Sequence, residues 1–87
     1  MRYRVEFAPS AARAFRTLER VVQTRLASSI DGLARSPRPR GAEKLQGRED
    51  RDRLRVGDYR IVYDVQDEVL LVLVLRVAHR RGVYRRS

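Results

Sequence analysis

The sequence predicts an α+β domain in which helices pack on one face of an antiparallel sheet. Three patterns indicate this fold: an alternating apolar segment at the start, a stripe of apolar residues at helical spacing, and three strand-like segments in the second half. The predicted order is an N-terminal strand, two helices and a three-stranded antiparallel meander. A chain of 87 residues is long enough for one modest core, so we interpret residues 1–87 as a single domain.

The first half follows from two periodicities. In residues 2–8 (RYRVEFA), Tyr3, Val5 and Phe7 share one face, which is typical of a half-buried strand. Pro9 then marks the start of a helix, with Ser10 as its expected N-cap, and apolar residues recur at helical spacing as far as Leu33. This stripe fits one long helix or a helical hairpin with a break near residues 19–21, and we favour the hairpin.

The second half is strand-like after one long connection. Residues 36–47 (SPRPRGAEKLQG) contain two prolines and are interpreted as a connection that crosses towards the sheet. Strands are predicted at residues 51–56, 58–65 and 69–77. The last strand is nearly all apolar, which indicates a central position or cover on both sides.

A tight turn between the first two of these strands would fix their register. If Gly57 and Asp58 form a two-residue turn, Arg55 lies directly opposite Arg60. The apolar residues then share one face, and a slip of one residue would scatter them; they are Leu54, Val56, Tyr59, Ile61, Tyr63 and Val65. The opposite face, here named the arginine face, carries Arg51, Arg53, Arg55 and Arg60. Asp64 is their only acidic neighbour within the hairpin.

The charge of the chain favours a polyanionic partner. Twenty basic and eleven acidic residues give a net charge of +9, which attracts nucleic acid, anionic membrane or acidic protein. Two opposed arginines destabilise a sheet by up to about 1 kcal/mol, and a bound anion would relieve that repulsion. The alternative is a solvated strand face whose arginines splay apart, in a protein with a generally arginine-rich composition.

Several kinds of chemistry are excluded or disfavoured. The chain has no cysteine, no glycine-rich phosphate loop and a single histidine, so we expect no metal and no cofactor. The longest apolar run, residues 69–75, is far too short to span a membrane, so we expect a cytoplasmic protein. Arginine is a poor base but a good clamp for phosphate. RNA cleavage by its own 2′-hydroxyl is a reaction that needs little else.

The segments KLQG, RLRVGDYRIVYDV and VLRVAHRRGVYRR resemble the RelE group of the RelE/ParE superfamily, the toxins of type II toxin–antitoxin pairs. The resemblance extends over nearly the whole chain and is strongest in residues 44–86. It implies a microbial RNase-like fold. It also implies a toxin that enters the A site of the 30S ribosomal subunit and cleaves mRNA there by 2′-hydroxyl attack, leaving a cyclic phosphate.

The resemblance also assigns roles by position. Arg51 and Arg53 match two basic strand residues that line the scissile phosphate, and Arg60 matches an arginine that stabilises the transition state. Tyr84 matches a tyrosine that stacks on a base or acts as a base. The implied catalytic set is Arg51, Arg53, Arg60, Arg80 and Tyr84. The expected RNA-binding set is Arg55, Lys44, His79 and Arg81.

The chain departs from the pattern of the family at three places. Arg51 and Arg53 stand where relatives usually have lysines; they keep the charge but cannot deprotonate near neutral pH. Tyr84 or His79 would therefore have to act as the base. Gln46 occupies a position that is basic in some relatives, and the spacing from Arg80 to Tyr84 is two residues shorter.

Partners and alternatives follow from the same resemblance. It implies a RelB-like acidic antitoxin that folds on binding, and contact with operator DNA only through that antitoxin. A ParE-like toxin would have the same fold and would inhibit DNA gyrase without cleaving RNA, although such chains generally lack the full set of basic residues and tyrosine. A basic nucleic-acid-binding module without toxicity is the third interpretation.

Overall fold

The computed structural model describes residues 2–45, 47 and 51–79 and has the predicted α+β class. The order of elements is one strand, two helices and then the remaining strands, with a short 3-10 helix at Asp67–Val69 before the last one. The bounds are β1 (Arg4–Phe7), α1 (Pro9–Arg16), α2 (Arg20–Gly32), β2 (Ala42–Lys44), β3 (Arg51–Val56), β4 (Tyr59–Gln66) and β5 (Leu71–His79). The strands form one sheet in the order β1-β5-β4-β3-β2. Of the two alternatives predicted for the last strand, the structure has the central position, because β5 lies between β1 and β4.

Two features of the sheet differ from the prediction. The connection at residues 36–47 contains β2, a three-residue edge strand that pairs antiparallel with β3. Too short to show alternation, β2 is a strand because of its hydrogen bonds to β3. In addition, β1 pairs parallel with β5, so the sheet is mixed and not purely antiparallel. The long connection between β1 and β5, which includes both helices, is what permits parallel pairing.

The helical pair begins and breaks slightly earlier than predicted. Ala8 occupies the N-cap position of α1, and Pro9 is its first residue, so the expectation of Ser10 as the cap is wrong. Proline suits this position because its missing N–H has no partner there in any helix. The break lies at residues 17–19, where the Gln23 side chain donates a 2.9 Å hydrogen bond to the carbonyl oxygen of Phe15 and ties α2 to the end of α1.

One hydrophobic core lies between the helices and the sheet. The predicted apolar face of the β3–β4 hairpin packs against this core. Phe7 of β1 and Phe15 of α1 also pack against it, in a T-shaped contact with ring centroids 5.6 Å apart. The buried apolar residues are Ala11, Leu26, Ile30, Leu33, Leu54, Ile61, Tyr63, Val65, Val72, Val74 and Val77. Both helices contribute to this one cluster, so the arginine face is on the other side of the sheet.

The register predicted for the hairpin is confirmed. Val56 pairs with Tyr59 and Arg55 with Arg60 across a turn at Gly57 and Asp58. Gly57 has a φ of 61°, in the left-handed region that a residue without a side chain adopts most easily. The guanidinium of Arg25 in α2 lies against this turn.

We expect Gly57→Ala to lower the free energy of unfolding by about 1–2 kcal/mol, since a side chain is strained in the left-handed region. The new Cβ would also lie 3.1 Å from Nη1 of Arg25. Gly32→Ala is the matched control: Gly32 ends α2 with no atom within 4 Å of the added carbon, and alanine there should stabilise the protein by about 0.4–1 kcal/mol. Urea unfolding followed by circular dichroism measures both changes, and equal stability of the two variants would contradict this turn geometry.

A polar cluster joins the start of the chain to the turn before β5. The Tyr3 hydroxyl donates to Oδ1 of Asp67 at 2.5 Å, and Nη2 of Arg38 donates to Oδ2 at 3.0 Å. The hydrogen bond from Arg38, followed by that from Tyr3, holds the pKa of the Asp67 carboxyl below its ordinary value of 3.8. The folded protein therefore favours the charged form of Asp67.

Asp67→Asn is expected to lower the urea midpoint at neutral pH, where the carboxylate is charged, and to matter less in acid. A group whose pKa is depressed by folding stabilises the fold above its unfolded-state pKa, and this stabilisation disappears as pH falls through the folded-state value. The difference between wild type and Asp67→Asn should thus shrink as pH falls below 3.8, the ordinary value of this carboxyl. Glu68→Gln, at the neighbouring exposed carboxylate, is the control. A difference that stays constant with pH would show that the charge of Asp67 is not responsible.

Candidate nucleic-acid interface

The arginine face is formed by paired residues of β3 and β4. Arg51 lies opposite Asp64, Arg53 opposite Val62 and Arg55 opposite Arg60. Strand alternation turns Asp52, which lies between two of these arginines, to the helix side of the sheet, where it is only 3% exposed. Its Oδ1 atom accepts no hydrogen bond from any described residue. Asp52 therefore does not neutralise the arginine face.

Ion pairs divide the arginine face into two parts. Arg51 Nε is 3.1 Å from Asp64 Oδ1, and Arg53 Nη2 is 3.0 Å from Oε1 of Glu43, a carboxylate brought in by the unpredicted strand β2. The Glu43 side chain is 70% exposed, so its pair with Arg53 contributes little to stability and opens easily to a competing anion. Across residues 2–45, 47 and 51–79, Arg55 and Arg60 form no ion pair. The arginines without an ion pair therefore lie at the end of the hairpin nearest the turn.

A concave surface runs over the arginine face. A groove of about 250 Å³, here named the outer groove, has an apolar floor and three arginines around it. Its lining residues are Leu45, Arg53, Arg60, Val62, Arg76 and Ala78. Two further depressions share arginines with it: one is lined by Gly41, Glu43, Arg53 and Arg55, and the other by Arg55, Gly57, Asp58 and Arg60. Such a row of concavities with arginine walls suits an extended anionic chain.

Arg76 is a residue of this surface that the sequence interpretation missed. Val72 and Val74 of β5 face the core, and simple alternation would send Arg76 into the core as well. The pairing of β4 with β5 shifts between Val62 and Tyr63, so that Leu75 has no partner and Arg76 lies opposite Val62. This bulge turns Arg76 to the outer side of the sheet. The available signal in the sequence was Val77, an apolar residue directly after Arg76 that unbroken alternation would place on the outer face.

Two predicted RNA-binding residues lie away from the arginine face. His79 pairs with Tyr59 on the helix side of the sheet, where the two rings meet edge to face with centroids 4.9 Å apart. Lys44 pairs with Asp52 and shares its side of the sheet. Their RNA-binding roles stay predictions, as do those of Arg80, Arg81 and Tyr84, which lie outside the described residues together with Gln46.

The chemistry that this surface offers is that of guanidinium groups. Each stays protonated and donates several N–H bonds in a plane that matches a phosphate group. In the described ranges, no three histidine, cysteine or carboxylate side chains are placed to hold a metal ion. None of the helices placed by the structure has the length and hydrophobicity needed to cross a membrane.

Comparison with known proteins assigns this sequence and fold to a family. Residues 3–84 match the family described as the ParE toxin of the type II toxin–antitoxin system parDE. The chain belongs to the RelE/ParE family of toxins. Toxin RelG of Mycobacterium tuberculosis is 32% identical to it over 87 residues, which cover 99% of this chain and all of RelG.

Solved structures agree with the family assignment. The archaeal RelE–RelB complex of Pyrococcus horikoshii contains a chain that is 30% identical, with a TM-score of 0.80 and full coverage of both chains. In the intact RelBE toxin–antitoxin complex of Escherichia coli, the matching chain is 33% identical with a TM-score of 0.77, covering 88% of this RelE/ParE-family toxin and 95% of that chain. The microbial RNase-like RelE fold predicted from the sequence is therefore the fold of this protein.

Proposed function

We propose that this toxin is a ribosome-dependent mRNA endoribonuclease of the cytoplasm, which cleaves mRNA in the ribosomal A site and so blocks translation. The observation that carries the proposal is the pair Arg55 and Arg60, directly opposed on an open sheet face and free of ion pairs among the described residues. Two like charges directly opposite each other destabilise a sheet when no anion is bound. An RNA phosphate between them would remove this repulsion, and the relief would contribute to the affinity for RNA. Similarity to RelG and to RelE structures supports the same conclusion.

The proposed reaction uses a nucleophile supplied by the RNA. The 2′-oxygen attacks the neighbouring phosphorus, the bond from phosphorus to the 5′-oxygen of the next nucleotide breaks, and a cyclic phosphate and a 5′-hydroxyl remain. The proton leaves the 2′-hydroxyl and a proton is delivered to the 5′-oxygen. Arg60 would stabilise the charge on the phosphate, and Arg53 would line it. Arg51, Arg80 and Tyr84 complete the proposed catalytic set. Tyr84 is the candidate base, because the alternative base His79 lies on the helix side of the sheet with Tyr59.

An antitoxin is the proposed regulatory partner. The similar solved structures include RelE bound to RelB. A chain with a net charge of +9 would also attract an acidic segment that folds on its surface. Contact with operator DNA would pass through that antitoxin. Overexpression of the toxin without the neighbouring gene for an acidic antitoxin is expected to stop cell growth. Accumulation of soluble protein in cells that grow normally would count against toxicity.

Inhibition of DNA gyrase is the second candidate function. The description of the matching family as the ParE toxin of parDE favours it. A gyrase inhibitor would not need an arginine face shaped for phosphate, which is why we rank RNA cleavage first. A DNA supercoiling assay run beside the RNA assay separates the two functions.

Primer extension on mRNA in a purified translation system is expected to reveal new 5′ ends inside the A-site codon, and only when ribosomes are present. Replacing the 2′-hydroxyl at the cut by hydrogen should abolish these ends, because the nucleophile is then missing. Cutting that persists on the deoxy substrate would exclude self-attack. Intact mRNA together with inhibited supercoiling would establish the gyrase alternative.

A further inference from the structure

The outer groove combines two properties that a site for phosphate alone would not need. Arg53, Arg60 and Arg76 surround it, while Leu45, Val62 and Ala78 provide an apolar floor. Phosphate gains nothing from apolar contact, whereas the flat face of a nucleobase does, and arginine side chains also stack on bases. At about 250 Å³ the groove is smaller than the roughly 300–1,000 Å³ of typical ligand pockets, which suits a single base.

Arg76 reaches this groove only because of the bulge in β5. Arg60 pairs with Ala78 and Val62 with Arg76, so Arg60 and Arg76 are diagonal neighbours on adjacent strands. Diagonal neighbours lie about 7–8 Å apart, close enough for long side chains to contact the same ligand. Within the described part of the chain neither arginine forms an ion pair. Bulges often redirect a side chain next to a functional site, and this one brings a third guanidinium to the groove.

We propose that the outer groove is a nucleobase subsite in which one RNA base packs on Val62 and Ala78 and is held by Arg76, with the adjacent phosphate on Arg60 and Arg53. The subsite rests on the proposed function, since its occupant is a nucleotide of the cleaved mRNA. It adds to that function a binding residue on β5 that lies outside the proposed catalytic set. An acidic segment of an antitoxin could match the arginine charges, but it would leave the apolar floor without a partner.

Single-turnover cleavage of mRNA on programmed ribosomes, with the toxin titrated in excess, tests the role of Arg76. Arg76→Ala should raise the half-saturating toxin concentration about 5- to 100-fold, the range expected for loss of one base contact, with a smaller change in the maximal rate. Ala78→Leu should have a similar effect without any change of charge, because it fills the floor. Arg76→Lys should restore only part of the loss, since lysine keeps the charge but not the planar group.

Arg13→Ala is the matched control, because it removes the same charge from the exposed surface of α1, in the helix layer. It should change neither parameter by more than about twofold. Thermal unfolding of each variant verifies that the fold is kept.

Abasic mRNAs test whether the contact is to a base. With one abasic nucleotide placed at successive positions around the cut, one position should weaken wild type as much as Arg76→Ala does. At that position, the abasic change and Arg76→Ala together should be no worse than either alone, because both remove the same interaction. Full additivity at every position would overturn the base contact.

The remaining outcomes separate the two proposals. If wild type cleaves and Arg76→Ala behaves like Arg13→Ala, the subsite is wrong while the nuclease stands. If Arg76→Ala loses only antitoxin binding and cleaves normally, the groove belongs to the antitoxin and the subsite is again wrong. If wild type cleaves no programmed mRNA, the proposed function and the subsite fail together.

Discussion

Replacing Arg60 with alanine is expected to lower the single-turnover rate of mRNA cleavage on programmed ribosomes by about 10²–10³-fold. Arg60 lies on the outer face of β4, opposite Arg55, and has no ion pair among the described residues. Its guanidinium is therefore available to the charge that develops on the phosphate during attack. Quench-flow sampling of the cleaved mRNA at saturating toxin measures the effect. A loss of similar size is expected for Arg80→Ala, at a position outside the described residues.

Stability provides the control for this experiment. Arg60→Ala removes a like-charge repulsion, so its free energy of unfolding should stay the same or rise by up to about 1 kcal/mol. Arg13→Ala, with the same change of charge in the helix layer, should cleave at the wild-type rate. Full activity of Arg60→Ala would mean that the catalytic site has been placed on the wrong surface.

Replacing Tyr63 with alanine is expected to lower the free energy of unfolding by about 3–5 kcal/mol, the usual cost of deleting a buried aromatic ring. Tyr63 is fully buried, and its hydroxyl donates a 2.8 Å hydrogen bond to the carbonyl oxygen of Pro37. Burial raises the pKa of this phenol, and the nearby Asp52 carboxylate raises it further, so the hydroxyl stays a donor. The loss is a large part of the roughly 4–13 kcal/mol expected for a domain of this size. Urea unfolding at neutral pH measures it.

A conservative change separates the ring from its hydrogen bond. Tyr63→Phe keeps the packing but leaves the Pro37 carbonyl without this donor, and it should cost about 0.5–1.5 kcal/mol. Tyr59→Phe is the control, since the Tyr59 hydroxyl makes no hydrogen bond to the described residues. If Tyr63→Phe were as damaging as Tyr63→Ala, packing of the ring would not be the main contribution.

The sequence was most informative where two local signals agreed. The turn at Gly57 and the alternation on either side of it specify the same register, and the structure has that register. No local sequence pattern predicts strand β2 or the parallel pairing of β1 with β5. Both depend on hydrogen bonds to other strands that lie further along the chain. The fold class was therefore predictable, whereas the edges of the sheet were not.

The candidate site shows the same division. Arg53 and Arg60 were placed by strand alternation alone, whereas Glu43 entered with the unpredicted strand β2. Arg76 was missed because the bulge reverses the alternation that would have buried it. The same reversal puts His79 on the helix side of the sheet, although the resemblance had implied that His79 contacts RNA. Charge identifies candidate residues, but the phase of the strand decides which face they occupy.

The parallel pairing of β1 with β5 also sets an order of folding. The β3–β4 hairpin joins neighbouring segments and can form within about 1–10 μs. Among the described strands, β1 pairs only with β5, so Arg4 must meet Leu71 from far along the chain. Closing so long a loop is entropically costly and slow. During synthesis, β1 therefore has no strand to pair with until residues 71–79 have left the ribosome. A toxin proposed to act on ribosomes thus completes its core only after the ribosome that makes it has translated the last strand of the sheet.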